Sequence, residues 1–245
     1  MACGLAVCLA SLGLHPAAAA QPITVLTFER PPYYTLGSNG YPQGFLLSLT
    51  DRILREAGLL PEYVDMPSRR ILMELAEAKT LTCAVGWYMT PERTRIAEYS
   101  YPIYQDAPLM ALFREGYQGL PDGPATLRGL AAMPDLVFGL NEAFSYGPEV
   151  DALLEKMPRP PVRVNGTQVQ LVRMLHASRF DVMLVNPEEI DALSNESGVN
   201  PFTLRIVPLA DLRKGRLRYL LFNKSVDPAV LRRVNRAIEK LVKLE

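Results

Sequence analysis

The chain has 245 residues with 26 basic and 26 acidic side chains, so its formal net charge is +0. That balance offers no electrostatic footprint for nucleic acid or an anionic membrane surface, although it permits a locally charged cleft. Hydrophobic residues at 49% and charged residues at 21% suit a folded chain of one large domain or two small lobes.

Met1 to Ala20 carry no Lys, Arg, Asp or Glu, run apolar to Leu14 and end in small residues. The stretch resembles a secretory signal peptide with an Ala18-Ala19-Ala20 site cleaved before Gln21, although its start lacks the usual positive charge. It is shorter than the roughly 20 apolar residues needed to span a bilayer. Export of the remaining chain is therefore expected. Cys3 and Cys8 fall in this leader, away from the cleavage point, which leaves Cys83 and no internal disulfide. A single Cys in an apolar strand packs as a small hydrophobe. Catalysis by Cys83 would need a positioned His, and His176 stands on a distant predicted helix.

Ile23 to Phe28 reads as a strand that stops at Glu29-Arg30-Pro31-Pro32-Tyr33-Tyr34. Polar and aromatic groups at the carboxyl end of such a strand face a cleft, which makes Glu29, Arg30 and Tyr33 candidates for ligand contact. The plainer alternative is a local Glu29–Arg30 pair on a loop. Phe45, Leu49, Ile53 and Ala57 recur at helical spacing, and Gly58 ends that helix. Tyr63 to Met66 is a short strand, Ser68 can cap a helix carrying Ile71, Leu72 and Leu75, and Leu81 to Val85 is the next strand. The order β-α-β-α-β implies a parallel sheet with helices on both faces. Arg69 and Arg70 oppose the macrodipole at their helix start, so one of them should have an acidic partner or a ligand.

The next stretch holds the strongest candidates. Gly86-Trp87-Tyr88-Met89-Thr90-Pro91-Glu92-Arg93 presents Arg93 in a polar turn beside Trp87, Tyr88, Tyr99, Tyr101 and Tyr104. Arg binds carboxylates bidentately, and aromatic rings give flat contact area for a small organic ligand. The alternative is a surface turn in which Arg93 pairs with Glu92 or Glu98.

Thr90-Pro91-Glu92-Arg93 followed by Tyr99-Ser100-Tyr101-Pro102-Ile103-Tyr104 resembles the signature of the type II periplasmic solute-binding proteins, family 3. These are amino-acid-binding-protein-like receptors of ABC importers. The resemblance spans Ile23 to Val242. It implies an α/β, two-lobed type II periplasmic binding protein fold, each lobe a mostly parallel sheet flanked by helices, joined by a two-strand hinge. Residues 1–20 would be the signal peptide, 21–106 the first part of lobe 1, 107–210 the hinge and lobe 2, and 211–245 the return to lobe 1. The resemblance also expects a further C-terminal turn and helix beyond Glu245.

Ala107 to Arg114 is a strand, Thr126 to Met133 a short helix and Leu136 to Leu140 a strand. Ser145-Tyr146-Gly147 then precedes Pro148 at a helix start, a place where free N–H groups and the dipole favour an anion. The resemblance implies that Ser145 and Tyr146 complete carboxylate binding from lobe 2; the alternative is a plain cap at Ser145 or Gly147. Pro160 to Val164 is a strand, Thr167 and Gln170 form a capping box, and Asn186-Pro187 opens a helix with Glu189 at the reciprocal cap position. The family places an Asp at residue 186, where it grips the ammonium of an amino acid. Asn186 brings no charge, so a carboxylated or neutral solute without that amine fits equally well. Leu204 to Leu209 and Leu217 to Phe222 are strands leading back to lobe 1, and Pro228 opens a last helix with Leu231, Val234, Ile238 and Leu241 on one face.

The resemblance implies a monomeric, non-catalytic periplasmic receptor for a small solute, serving ABC transporter membrane subunits or a sensor. No cofactor, metal or nucleic acid is expected. Its ligand contacts would come from Glu29, Arg30, Tyr33, Gly86, Tyr88, Arg93, Ser145, Tyr146 and Asn186. Two other readings remain open. Some relatives, such as cyclohexadienyl dehydratase, eliminate water from a bound carboxylate, and Glu29 could then act as general acid or base. A ligand-free interaction domain is the third.

Overall fold

The computed structural model describes residues 20–120 and 124–244. The expected signal peptide lies, except for Ala20, outside the described residues.

The first sheet is built in chain order from β1 (Gln21–Thr27), the small hairpin β2 (Thr35–Leu36) and β3 (Pro42–Gln43), α1 (Phe45–Glu56), β4 (Leu59–Asp65), α2 (Ser68–Glu77), β5 (Thr82–Tyr88), α3 (Pro91–Ile96) and β6 (Ala97–Gln105). The chain then crosses into a second sheet. It comprises β7 (Met110–Arg114), α4 (Leu127–Ala131), β8 (Phe138–Asn141), α5 (Pro148–Leu154), β9 (Val162–Val164), α6 (Gln168–His176), β10 (Val182–Val185), a 3-10 turn at Pro187–Glu189, α7 (Ile190–Ser197) and, after a second 3-10 turn at Pro201–Thr203, β11 (Leu204–Pro208). The chain returns through β12 (Leu217–Asn223) and ends in α8 (Pro228–Leu241). The strand orders are β4-β1-β5-β12-β6 and β11-β7-β10-β8-β9. The expected strand at Leu204 to Leu209 does not lead back: it stays in the second sheet, antiparallel to β7.

In each sheet four strands run the same way and one opposes them: β12 is antiparallel to both β5 and β6, and β7 to both β10 and β11, while the other pairings are parallel. The antiparallel strands flank the two places where the chain changes lobe. Helices cover both faces of each sheet. Val25, Cys83, Leu220 and Phe222 pack under α1 and α8, while Leu26, Ala84 and Leu221 pack under α2. All seven residues of β5 are buried, as a central strand covered on both faces demands. Cys83 is fully buried, and that burial pushes its thiol pKa up. It therefore packs as an inert small hydrophobe.

The two crossings lie side by side. The Asp106 N–H donates to the Arg216 carbonyl at 2.9 Å and Gln105 Nε2 to the Gly215 carbonyl at 3.2 Å. A Cβ on Gly215 would stand 1.6 Å from the Asp106 carbonyl oxygen, so only glycine lets these backbones meet.

Two expected caps are absent. Ser68 is the first residue of α2, behind Pro67, and makes no capping bond. Asn186 and Glu189 form no reciprocal cap, because Glu189 is drawn to a cation of the other lobe, described below. The Thr167–Gln170 capping box forms as expected.

Candidate functional site

β5 ends at Tyr88, and Thr90 caps α3 by accepting the Arg93 N–H at 3.4 Å, with Pro91 at the first helical position. This short helix turns Arg93 back over the strand end. Its Nη1 donates to the Tyr88 carbonyl at 3.0 Å, and its guanidinium carbon lies 4.7 Å from the centre of the Trp87 ring. Arg93 is only 8% exposed, and among the described residues no carboxylate pairs with it. Of its two sequence-expected partners, Glu98 instead pairs with Lys224 at 2.6 Å. Burial pushes the Arg93 pKa down, against the weaker pull of Tyr99 and Asp151. Arg93 lines a cavity of about 30 Å³ between the lobes, shared with Phe28, Arg30, Trp87, Ser145 and Arg218.

Arg218, from the returning strand β12, has a different environment. Its Nε donates to Asp106 at 2.7 Å, its Nη1 to the Tyr34 hydroxyl and the Gly86 carbonyl at 3.0 Å each, and its Nη2 to the Tyr88 hydroxyl at 3.2 Å. Tyr88 in turn donates to Asp106. The Tyr33 ring packs 4.3 Å under the guanidinium. Burial opposes the charge on Arg218, but the tyrosine oxygens and Asp106 together raise its pKa. Gly86 is needed here on two counts: its φ is +72°, and a Cβ would lie 2.0 Å from the Tyr34 hydroxyl.

The lobes are tied directly. Arg30, at the end of β1, donates Nε and Nη2 to the two oxygens of Glu189 at 2.7 and 2.9 Å and stacks 4.4 Å over the Phe144 ring. Glu189 is fully buried; desolvation opposes the charge on Arg30, but the Glu189 charge and its hydrogen bonds together push the Arg30 pKa up. Tyr104 Oη and the Ala107 N–H both donate to Glu188, at 2.9 and 2.7 Å. Arg69 approaches Glu142 across the cleft at 3.7 Å, while Arg70 pairs within its own helix with Glu74 at 3.9 Å. An acidic partner or a ligand is expected for one of these two cations, and both have an acidic neighbour.

On the second lobe, the turn expected to receive an anion is filled from within. Asp151 accepts from Ser145 Oγ at 2.5 Å and from the Tyr146 N–H at 2.8 Å, and the Gly147 N–H donates to Ser145 Oγ at 3.2 Å. Gly147, with φ +105°, is the helix cap. The Tyr146 hydroxyl accepts the Asn141 N–H at 3.1 Å. Asn186 is buried, its Oδ1 has no partner, and it lines a cavity of about 10 Å³ with Arg30, Tyr88, Ser145, Gln168 and Glu189.

The structure therefore gathers Arg30, Gly86, Tyr88, Arg93, Ser145, Tyr146 and Asn186 around adjoining cavities between the lobes. Glu29 stands apart on a larger cavity at the cleft mouth. Tyr33 lies inside the core of the first lobe against Tyr34 and Phe45. Sequence reasoning missed Asp106, Phe144, Glu189 and Arg218, whose partners lie up to 184 residues away along the chain. Among the described residues no group of three or more His, Cys, Asp or Glu could hold a metal ion, and no helix is long and apolar enough to cross a membrane.

Residues 23–244 match the bacterial extracellular solute-binding proteins, family 3, and the chain belongs to that family. Its fold is shared with solved structures. An ancestral arginine-binding protein bound to arginine superimposes with a TM-score of 0.71 at 19% identity, over 91% of this chain and 92% of that one. The arginine-bound Gly52Ala mutant of ArgBP from T. maritima gives 0.70 at 20% identity, over 91% and 96%. The ancestral amino acid-binding protein AncCDT-1, a precursor of cyclohexadienyl dehydratase, gives 0.66 at 17%, over 90% and 89%. At these identities the likeness is one of fold. Comparison with curated protein sequences returned no match.

Proposed function

We propose that this protein is an exported, periplasmic receptor that captures a small polar, carboxylate-bearing solute between its lobes by hinge closure, for ABC import or for sensing. The observation that carries the reading is Arg93: a buried guanidinium in the cleft wall, stacked on Trp87, with no carboxylate of its own among the described residues. A desolvated Arg–carboxylate pair is among the strongest charge-assisted contacts a protein makes, and this guanidinium has donors to spare for it. Residues 21–106 and 211–245 would form lobe 1, and 107–210 the hinge and lobe 2, with Asp106 and Gly215 at the pivot.

The cavity at Arg93, about 30 Å³, has room for about one or two water molecules. A solute therefore enters only when the lobes part and the Arg30–Glu189 bridge opens. Gly86, Tyr88, Arg30, Ser145, Tyr146 and Asn186 would line the opened site. Ser145 and Tyr146 would contribute contact surface more than a backbone anion site, since Asp151 holds the Ser145 hydroxyl and the Tyr146 N–H. Glu29 and Tyr33, outside these cavities, would act at the mouth and from beneath. The protein would act as a monomer and bind without turnover. The dehydratase reading needs an acid or base facing the solute carboxylate, and Glu29 lines the mouth cavity rather than the one at Arg93.

A thermal-shift screen of carboxylates against amines and sugars tests this. A carboxylate at a hundred times its Kd should raise Tm by about 5–10 °C for a chain of this size. The rise should vanish in Arg93→Ala. A carboxylate shift that survives that substitution would sink the assignment.

A further inference from the structure

The neutral balance of the whole chain conceals one uneven face. Between Leu231 and Leu244 stand five cations, Arg232, Arg233, Arg236, Lys240 and Lys243, against a single acid, Glu239. Arg233 is half-buried and the other four are exposed, while Val230, Val234, Ala237 and Ile238 of α8 turn to the core. Arg232, Arg236 and Lys240 follow one another at i, i+4 spacing, where like charges repel. The macrodipole favours Lys240 in the last turn but gives nothing to Arg232 and Arg233 in the first half of the helix. One acid reaches the group: Glu56 of α1 pairs with Lys240 at 2.6 Å. Among the described residues no carboxylate pairs with Arg232, Arg233, Arg236 or Lys243. Arg233, Arg236, Lys240 and Glu56 line a notch of about 310 Å³ between α8 and α1.

A second feature places this face in space. β1 starts at Gln21, and the period-two alternation of a strand turns its side chain to the α1 and α8 side of the sheet, with Ile23 and Val25. There Gln21 Oε1 accepts from Arg233 Nη2 at 3.2 Å. Met1 to Ala20, which precede it, are mostly apolar and carry no Lys, Arg, Asp or Glu. Under the export reading this leader enters a bilayer, so the chain meets the membrane at Gln21, beside the cations. The cleft lies at the other end of the same strand. Phe28 and Arg30, just past β1, line the cavity at Arg93, and a strand of seven residues spans about 20–25 Å.

We propose that the α8 face docks on an anionic bilayer, with one lipid phosphate in the notch of Arg233, Arg236 and Lys240 and others over Arg232 and Lys243. A single free anion would neutralise only the notch. Arg232 to Lys240 extend over about 12 Å of helix, which a plane of phosphates covers at once. Each cation held near an anionic leaflet strengthens binding about fivefold. This goes beyond the solute-binding reading, since no residue of the face lines the cavities at Arg93 or Asn186, and a failed vesicle test leaves that reading standing.

The test uses residues 21–245, which contain every element of both lobes, and vesicles of equal parts phosphatidylglycerol and phosphatidylcholine beside vesicles of phosphatidylcholine alone. The protein should sediment with the first and not with the second, and added salt should release it. Arg232→Gln/Arg236→Gln/Lys243→Gln removes three exposed cations and should weaken vesicle binding about a hundredfold while the urea denaturation midpoint stays in place. Lys156→Gln/Arg159→Gln/Arg163→Gln removes the same charge from exposed positions of the second lobe and should change binding by less than about threefold. Equal binding to both kinds of vesicle overturns the proposal, and so does an equal loss in the two triple variants. Release of the bound protein by inorganic phosphate at constant ionic strength would assign the notch to a free anion and overturn it as well. Binding of a poly-glutamate peptide without binding of vesicles would give the face to an acidic protein instead.

Discussion

Two buried arginines reach the end of β5, and they are treated oppositely. Arg218 is saturated: a carboxylate, two tyrosine hydroxyls, a carbonyl and an aromatic face all converge on it. Arg93, from the helix that follows the strand, holds one carbonyl and one ring. Desolvating a guanidinium is costly in both places, and only Arg218 recovers that cost inside the protein. The saturated arginine joins the returning strand to the outgoing hinge residue Asp106 and is part of the architecture. In the proposed function, the unsaturated one gives its remaining donors to the solute carboxylate.

The contrast can be broken most forcefully at Arg218. Replacing it by Met strands Asp106 in the interior, and a loss of about 3–5 kcal/mol of stability is expected in urea denaturation. A near-neutral result would mean that the network contributes little and that the comparison is misdrawn. Arg93→Ala should do the reverse, costing about 2–4 kcal/mol of carboxylate affinity by calorimetric titration while leaving stability within about 1 kcal/mol. An affinity left intact would show that the free guanidinium is an accident of packing.

The lobe bridge sharpens the same point, because its charges are satisfied only when the lobes meet. Glu189→Gln should weaken closure by about 1.5–3 kcal/mol, the scale of a charge-assisted hydrogen bond. In small-angle scattering the solute-free protein should then show a larger radius of gyration. An unchanged radius would assign closure to the Tyr104–Glu188 contact and the hinge instead. Smallest is the effect at the mouth. The Glu29 carboxyl has a raised pKa in the folded protein, so the folded state holds its proton more firmly than the unfolded chain does. Stability from this group is therefore gained as pH falls through the folded-state value and is absent above it. Glu29→Gln should flatten that part of the pH profile and add a few tenths of a kcal/mol at neutral pH, an allowance already reduced for its exposure. A steeper profile in the variant would contradict the assignment.

Much of this molecule was legible in the chain itself. The α1 helix and the Thr167–Gln170 capping box are short-range patterns that form as read, although α1 buries Leu46, Leu47, Thr50, Ile53 and Leu54 and leaves Phe45 exposed, and the strand expected at Leu81 to Val85 runs on as β5 to Tyr88. Arg93 could be singled out because its turn, its cap at Thr90 and its ring at Trp87 lie within seven consecutive residues. Three things could not be read this way. Glu189 looked like a helix cap and proved to be the partner of Arg30, 159 residues away. Ser145 and Tyr146 looked like an anion site, but Asp151 folds back one helical turn and takes their donors. Leu204 to Pro208 looked like part of the return path and stayed in the second sheet, because which strand a β-segment pairs with is decided by neighbours distant in sequence.

The amino-acid sequence by itself determined the elements, their α/β alternation and the signature that marks the family, since propensity, periodicity and capping act over a few residues. Only the tertiary structure decided which charges are spent and which are free. A guanidinium is bound or available according to what lies within about 3 Å of it, and those neighbours come from every part of the chain.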